Sequence, residues 1–252
     1  MQPAKSVTRV HDLIDISLYA AVMLNTEVWW RGHSIHSWQL VPSVYRGSRP
    51  PQHEGNMAIR FYQRAATRYP KCPPEGDFAG WLFLMQHYRL PTRLLDWTES
   101  ILVAAYFACK ENPSEDAVLW ALSPYKLNDI QVGTNSIVSP NHDLARQLFR
   151  PPFTERFEPA TATVAIMARE LDLRMTVQLS AFTIHGSKTP MEDLPSPETF
   201  LLEFSIPASS KESIIANLFY LGVRESTLFP DLEHLAKELA ELDFEEPDNP
   251  RP

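Results

Sequence analysis

QHYRLPTRLLDWTESILVAAYFACK, residues 86–110, runs from a polar cluster straight into a dense apolar segment. From Ile101 to Glu111 the apolar residues Ile101, Val103, Ala104, Ala105, Phe107 and Ala108 fit a helix buried in a core better than one lying on a surface. Ahead of it, Arg93 to Asp96 reads as the end of a strand. Asp96 is followed by Glu99, a pattern in which an Asp or Thr side chain accepts hydrogen bonds from the unpaired N–H groups of a helix start. A strand end that delivers Arg93, Asp96, Trp97 and Thr98 beside a helix N-terminus is one way to build a pocket for an anionic or polar ligand. Capping plus core packing accounts for the same residues without a ligand.

Working outward, residues 7–27 predict a helix with Leu13, Ile16, Ala20 and Leu24 on one face, and Val28 to Trp30 an extended segment with Arg31 at its end. Met57 to Tyr69 and Phe78 to Tyr88 read as helices, the second stopped by Pro91. Ala117 to Leu122 predicts a buried strand, Tyr125 to Ile130 a turn or short helix, and Asn135 to Pro159 an irregular loop. Beyond it, Ala162 to Leu179 predicts a helix, Phe182 to His185 and Thr199 to Ile206 strands, and Ser210 to Leu221 a helix closed by Gly222. A last helix is expected from Asp231 to Leu242, followed by an acidic, proline-containing disordered tail over residues 243–252. Short strands and helices in mixed order indicate an α+β fold: a single compact domain with a short mixed or antiparallel sheet flanked by helices.

With 44% hydrophobic side chains in 252 residues, the chain can bury a sizeable core. A formal net charge of −8 and a pI near 5.5 argue against broad electrostatic binding to nucleic acid, while leaving room for a local basic site. The longest apolar stretch, Ile101 to Cys109, is too short to span a bilayer, and no secretory leader is apparent, so a soluble cytoplasmic protein without a membrane partner is expected. Cys72 and Cys109 supply neither a disulfide framework nor a zinc site, and His33, His36 and His87 lack a further ligand at metal spacing, so no metal is expected. No GxSxG or glycine-rich phosphate loop is present.

WWRGHSIHSWQLVPSVYRG (residues 29–47) together with FLMQHYRLPTRLLDWTESILVAAYFA resembles the FRG domain family, named for a Phe-Arg-Gly-like motif that is Trp30-Arg31-Gly32 in this chain. RMTVQLSAFTIHG (174–186) and GVRESTLFPDLEHL (222–235) agree with the same family. The resemblance divides the chain into an N-terminal helical segment, 1–27, an FRG domain, 28–242, and the tail. FRG domains are distantly similar to ADP-ribosyltransferase-like folds. That similarity implies an enzyme that consumes NAD, either transferring ADP-ribose to a protein or nucleic-acid acceptor or hydrolysing NAD, as toxins and anti-phage effectors of related fold do. The alternative is a non-catalytic module that binds a nucleotide, a nucleic-acid end or a protein.

The chemistry of NAD cleavage explains why such residues would be wanted. Arginine holds phosphate through paired hydrogen bonds, and aromatic faces stack on nicotinamide or adenine. Arg31, Gly32, Arg93, Trp97, Thr98 and Gln178 are therefore the candidate NAD-binding residues. Breaking the bond from nicotinamide to ribose develops positive charge on the sugar, which a nearby carboxylate stabilises. Asp96 and Glu225 are the candidates for that role, with Glu203 the competitor of Glu225. Structural roles compete for each: Arg31 paired to Asp96, Trp97 in the core, Gln178 a satisfied core amide, Glu225 a surface charge.

Overall fold

The computed structural model describes residues 6–47, 53–154, 161–167 and 170–241. Its centre is one six-stranded sheet in which every neighbouring pair is antiparallel. The strands are β1 (Trp29–His33), β2 (Leu94–Thr98), β3 (Ala117–Leu122), β4 (Thr163–Ile166), β5 (Ser180–His185) and β6 (Leu201–Ile206), in the order β4-β5-β2-β1-β3-β6. The fold is α+β, as expected from the mixed order of elements.

Two halves of this sheet carry separate helical cores on one face. Over β1, β3 and β6 pack α1 (Val10–Leu24), α4 (Ile101–Cys109) and α8 (Ala208–Tyr220), which share Leu13, Ile16, Ala104, Ala108, Ile214 and Leu218 with Phe204 and Ile206 of the sheet. Over β2, β5 and β4 pack α2 (His53–Ala65), α3 (Phe78–His87) and α6 (Asp143–Phe149), where Phe83 meets Phe149 and Phe182 at ring distances of 5.7 and 5.2 Å. The opposite face is covered by Leu40, Met191, Leu194 and Phe200 from connecting segments and by Leu127 of α5 (Pro124–Val132). Three short helices complete the fold: α7 (Leu173–Val177), α9 (Glu225–Leu228) and α10 (Leu232–Glu241). Gly222 closes α8 at φ +82°, a left-handed conformation that suits glycine.

Several local expectations need correction. The cap of α4 is Ser100, whose hydroxyl accepts from Val103 N; Asp96 lies inside β2, and Thr98 accepts from Ser100 N at 3.0 Å. Within α4, Ala105 and Ala108 are fully buried, but Phe107 is half-buried against Phe229. Residues 162–179 are not one helix. They divide into β4 and the short α7, because Thr163 to Ile166 is worth more as a fully buried edge strand than as helix. The edge is closed by Val138, which donates to Ala165 O and accepts from Met167 N. The segment expected as an irregular loop after Asn135 also contains α6, and the expected tail lies outside the described residues.

A cationic cleft where the sheet divides

β1 pairs with β3 along all five of its residues, yet meets β2 at a single register pair, Trp30 with Thr98. Beyond that pair the strands diverge and open a cleft of about 420 Å³. A separated antiparallel ladder leaves backbone groups without partners, and buried ones must be answered by other groups. Arg31 supplies the answer here. Its Nη1 donates to the backbone oxygen of Asp96 at 2.5 Å, spanning the gap that the ladder leaves. The same guanidinium donates through Nε to His33 Nε2 at 2.8 Å, while His33 Nδ1 lies 3.1 Å from Trp38 O. His33 is thus an Nδ1–H tautomer with its other lone pair engaged. Burial, with Arg31 beside it, pushes its pKa down to about 3, so the ring is neutral and holds Arg31 without sharing its charge. Burial lowers Arg31 to about 10, which leaves it cationic at neutral pH.

Asp96 is exposed on β2, and its carboxylate accepts from Gln86 Nε2 at 2.7 Å; Gln86 is in turn oriented by the hydroxyl of Thr92. Five cationic side chains, Arg31, Arg46, Arg89, Lys110 and Arg174, line the cleft against two carboxylates, Asp96 and Glu111. Arg89 and Arg174 make no side-chain hydrogen bond among the described residues. Burial and then the neighbouring Arg89 lower the pKa of Arg174, whose guanidinium lies over the Phe229 ring at 4.7 Å. Trp38, 44% exposed, stands at the rim in a T-shaped contact with the His33 ring, 6.2 Å between centroids. Beneath the rim, the buried Lys211 donates to the backbone oxygens of Ser34, Glu111 and Asn112 at 2.8, 3.0 and 2.7 Å, tying two wall segments together.

The structure brings only some of the expected residues together. Arg31, Gly32, Asp96, Trp97, Thr98 and Gln178 all line the cleft. Gly32 serves packing first: a Cβ there would stand 2.0 Å from Ala104 O of α4. Trp97 is 3% exposed with its indole donating to Thr183, which makes it floor and not a free stacking face. Thr98 donates to Gln178 O, and Gln178 Nε2 to Leu228 O, so both brace the wall.

Arg93 does not join them. It is buried away from the cleft lining, with Nε and Nη2 on the Glu54 carboxylate of α2 at 3.0 and 2.6 Å. Neither competing glutamate lines the cleft. Glu225 is bound by Lys110 at 2.8 Å and Lys237 at 3.2 Å, contacts that lower its pKa, and Glu203 makes an exposed pair with His36 at 2.7 Å. Arg46, Arg89, Arg174 and Trp38 escaped selection because sequence blocks show which residues recur together, not which side chains face one space. All four sit inside quoted blocks, and that was the available signal.

The family model of the FRG domain matches residues 26–117, a span that holds β1, β2 and α4, and the chain carries an FRG domain there. No curated protein and no solved structure matches the chain. Among the described residues, no helix is long and apolar enough to cross a membrane.

Proposed function

We propose that the cleft binds NAD and that the protein breaks the nicotinamide–ribose bond, passing ADP-ribose to a macromolecular target or to water. The observation that carries this reading is the local excess of cations in a chain of net charge −8, above all Arg89 and Arg174, which lie near each other and make no side-chain hydrogen bond among the described residues. Neighbouring guanidiniums that repel each other favour a multiply charged anion, and a pyrophosphate meets that demand with paired hydrogen bonds. Asp96, with one oxygen held by Gln86, is the carboxylate available to the ribose. Trp38 offers the exposed aromatic face. A cytoplasmic toxin or anti-phage effector accords with such an activity.

Incubation of purified protein with NAD should release nicotinamide. Asp96→Asn should lower turnover about a hundredfold or more with little change in apparent affinity, as expected where a charge is stabilised only as the bond breaks. Arg174→Gln should instead weaken binding. Glu225→Gln should leave turnover unchanged, since Lys110 and Lys237 occupy that carboxylate. Unaltered turnover in Asp96→Asn would remove Asp96 from the mechanism. The position of Glu203 and Glu225 outside the cleft favours a second reading, a non-catalytic nucleotide, nucleic-acid-end or protein-binding module. That reading wins if NAD raises the melting temperature and no nicotinamide appears.

A further inference from the structure

A second concavity, of about 380 Å³, opens beside the cleft, and Arg89 and Arg174 line both. Two imidazoles stand in its wall, each held by a carboxylate. His87 Nε2 lies 2.9 Å from Asp172, and His234 Nδ1 lies 2.7 Å from Asp231. The rings differ in which nitrogen is engaged. In His234 it is Nδ1, and the ring is fixed from two directions: Asp231 also accepts the His234 backbone N–H at 2.9 Å, and the imidazole stacks on Phe229 at 4.8 Å with an 18° interplanar angle. Its Nε2 makes no hydrogen bond among the described residues and lies 3.9 Å from a Glu225 oxygen, beyond hydrogen-bonding reach. A neutral ring that donates through Nδ1 carries its free lone pair on Nε2, the arrangement a general base requires.

Arg174 connects the two spaces electrostatically, since it feels Asp96 from the cleft and both Asp172 and Asp231 from the second concavity. Resting on the NAD-cleaving reading above, we propose that the second concavity admits the nucleophile, an acceptor hydroxyl or water, and that His234 is its general base. The oxygen's electron pair forms the new bond to ribose C1′ as its proton passes to His234 Nε2. The C1′–N bond breaks with its electron pair going to the nicotinamide ring nitrogen, which leaves as the neutral amide, and the imidazolium then returns its proton to solvent. Among the described residues, the charged and titratable groups around His234 are its partners Asp231 and Glu225, the amines of Lys110 (at the end of α4) and Lys237 that bind Glu225, and His87, Arg89, Asp172 and Arg174 in the same concavity wall.

The test uses the full chain, with NAD as substrate and methanol as a small hydroxyl acceptor, separating nicotinamide, ADP-ribose and methyl ADP-ribose. His234→Gln should lower kcat about a hundredfold while leaving KM for NAD within about twofold. It should also flatten the acid limb of the pH–rate profile, and added imidazole should restore part of the rate. Asp231→Asn, which keeps an acceptor for the ring and helix N–H groups, should lower kcat and shift that limb, a check that stands even if His234→Gln folds poorly. Wild-type turnover in both variants, or a loss that imidazole does not rescue and that comes with a raised KM, overturns the assignment of His234 alone. Absence of nicotinamide release by the wild-type protein overturns it together with the NAD-cleaving reading.

Discussion

Arg31 and Arg93 carry the same guanidinium into different surroundings, and their neighbours decide what each can do. Arg93 meets Glu54 with both groups almost wholly buried. Removing one member of such a pair leaves the other charge buried, so Glu54→Ala should cost about 3 to 5 kcal/mol of stability. Denaturant unfolding will measure it, and a loss within experimental error would mean that water enters the site. Arg31 is held by neutral groups and keeps its charge for the cleft. The residue types of both arginines were legible in the sequence, but Glu54 lies 39 positions from Arg93, and nothing in a local pattern links them. The buried imidazoles add a pH dependence. His33 and His185 have folded pKa values of about 3, below the ordinary histidine value, chiefly through burial. As pH falls below about 6.5 the unfolded chain takes up protons that the folded one refuses, so stability present at neutral pH is lost toward pH 3. The slope should approach roughly 1.4 kcal/mol per pH unit for each ring. Urea midpoints unchanged between pH 7 and 5 would show that these rings titrate normally in the folded state.

At the scale of elements, the contact of β1 with α4 is the tightest constraint on the cleft. A Cβ on Gly32 would stand 2.0 Å from Ala104 O and 2.7 Å from Ala108 N, both backbone atoms of a helix that cannot yield as a side chain would. Gly32→Ala should therefore reach or exceed the upper end of overpacking costs, about 3 kcal/mol. A melting temperature close to wild type would mean that α4 shifts freely. This explains the glycine of the Trp30-Arg31-Gly32 triplet in steric terms, where the family resemblance made it a candidate NAD-binding residue. α4 itself was legible because all nine of its residues are apolar and leave no solvent face, and β3 because Ala117 to Leu122 is apolar and short. The failure over residues 162–179 has a physical cause as well. Met167, Leu171 and Leu173 extend an apolar period that imitates a helix, but pairing with β5 and the bridge to Val138 decide the conformation of Thr163 to Ile166. Those partners are distant in sequence and outweigh local propensity.

For the whole molecule, the division of the sheet poses a question of cooperativity. With one register pair between β1 and β2, the halves could behave as two bodies that hinge about the cleft. The path of the chain opposes this. It builds β1 in one half, β2 in the other, returns for α4 and β3, crosses again for β4 and β5, and comes back for β6 and α8. Neither half is a continuous segment, so neither can complete its core while the other is unfolded. Trp30 sits in the core under α4, and Trp81 in the cluster with Ala65 and Leu84, which makes them reporters of the two sides. Their fluorescence, followed in single-tryptophan variants, should give coincident unfolding curves in denaturant. A ligand bound between the halves should move both midpoints together by the same linkage free energy, about 2.7 kcal/mol at a hundredfold excess over its Kd. Separate midpoints, or a ligand shift confined to one reporter, would show that the halves are independent folding units and that the cleft is a hinge between them.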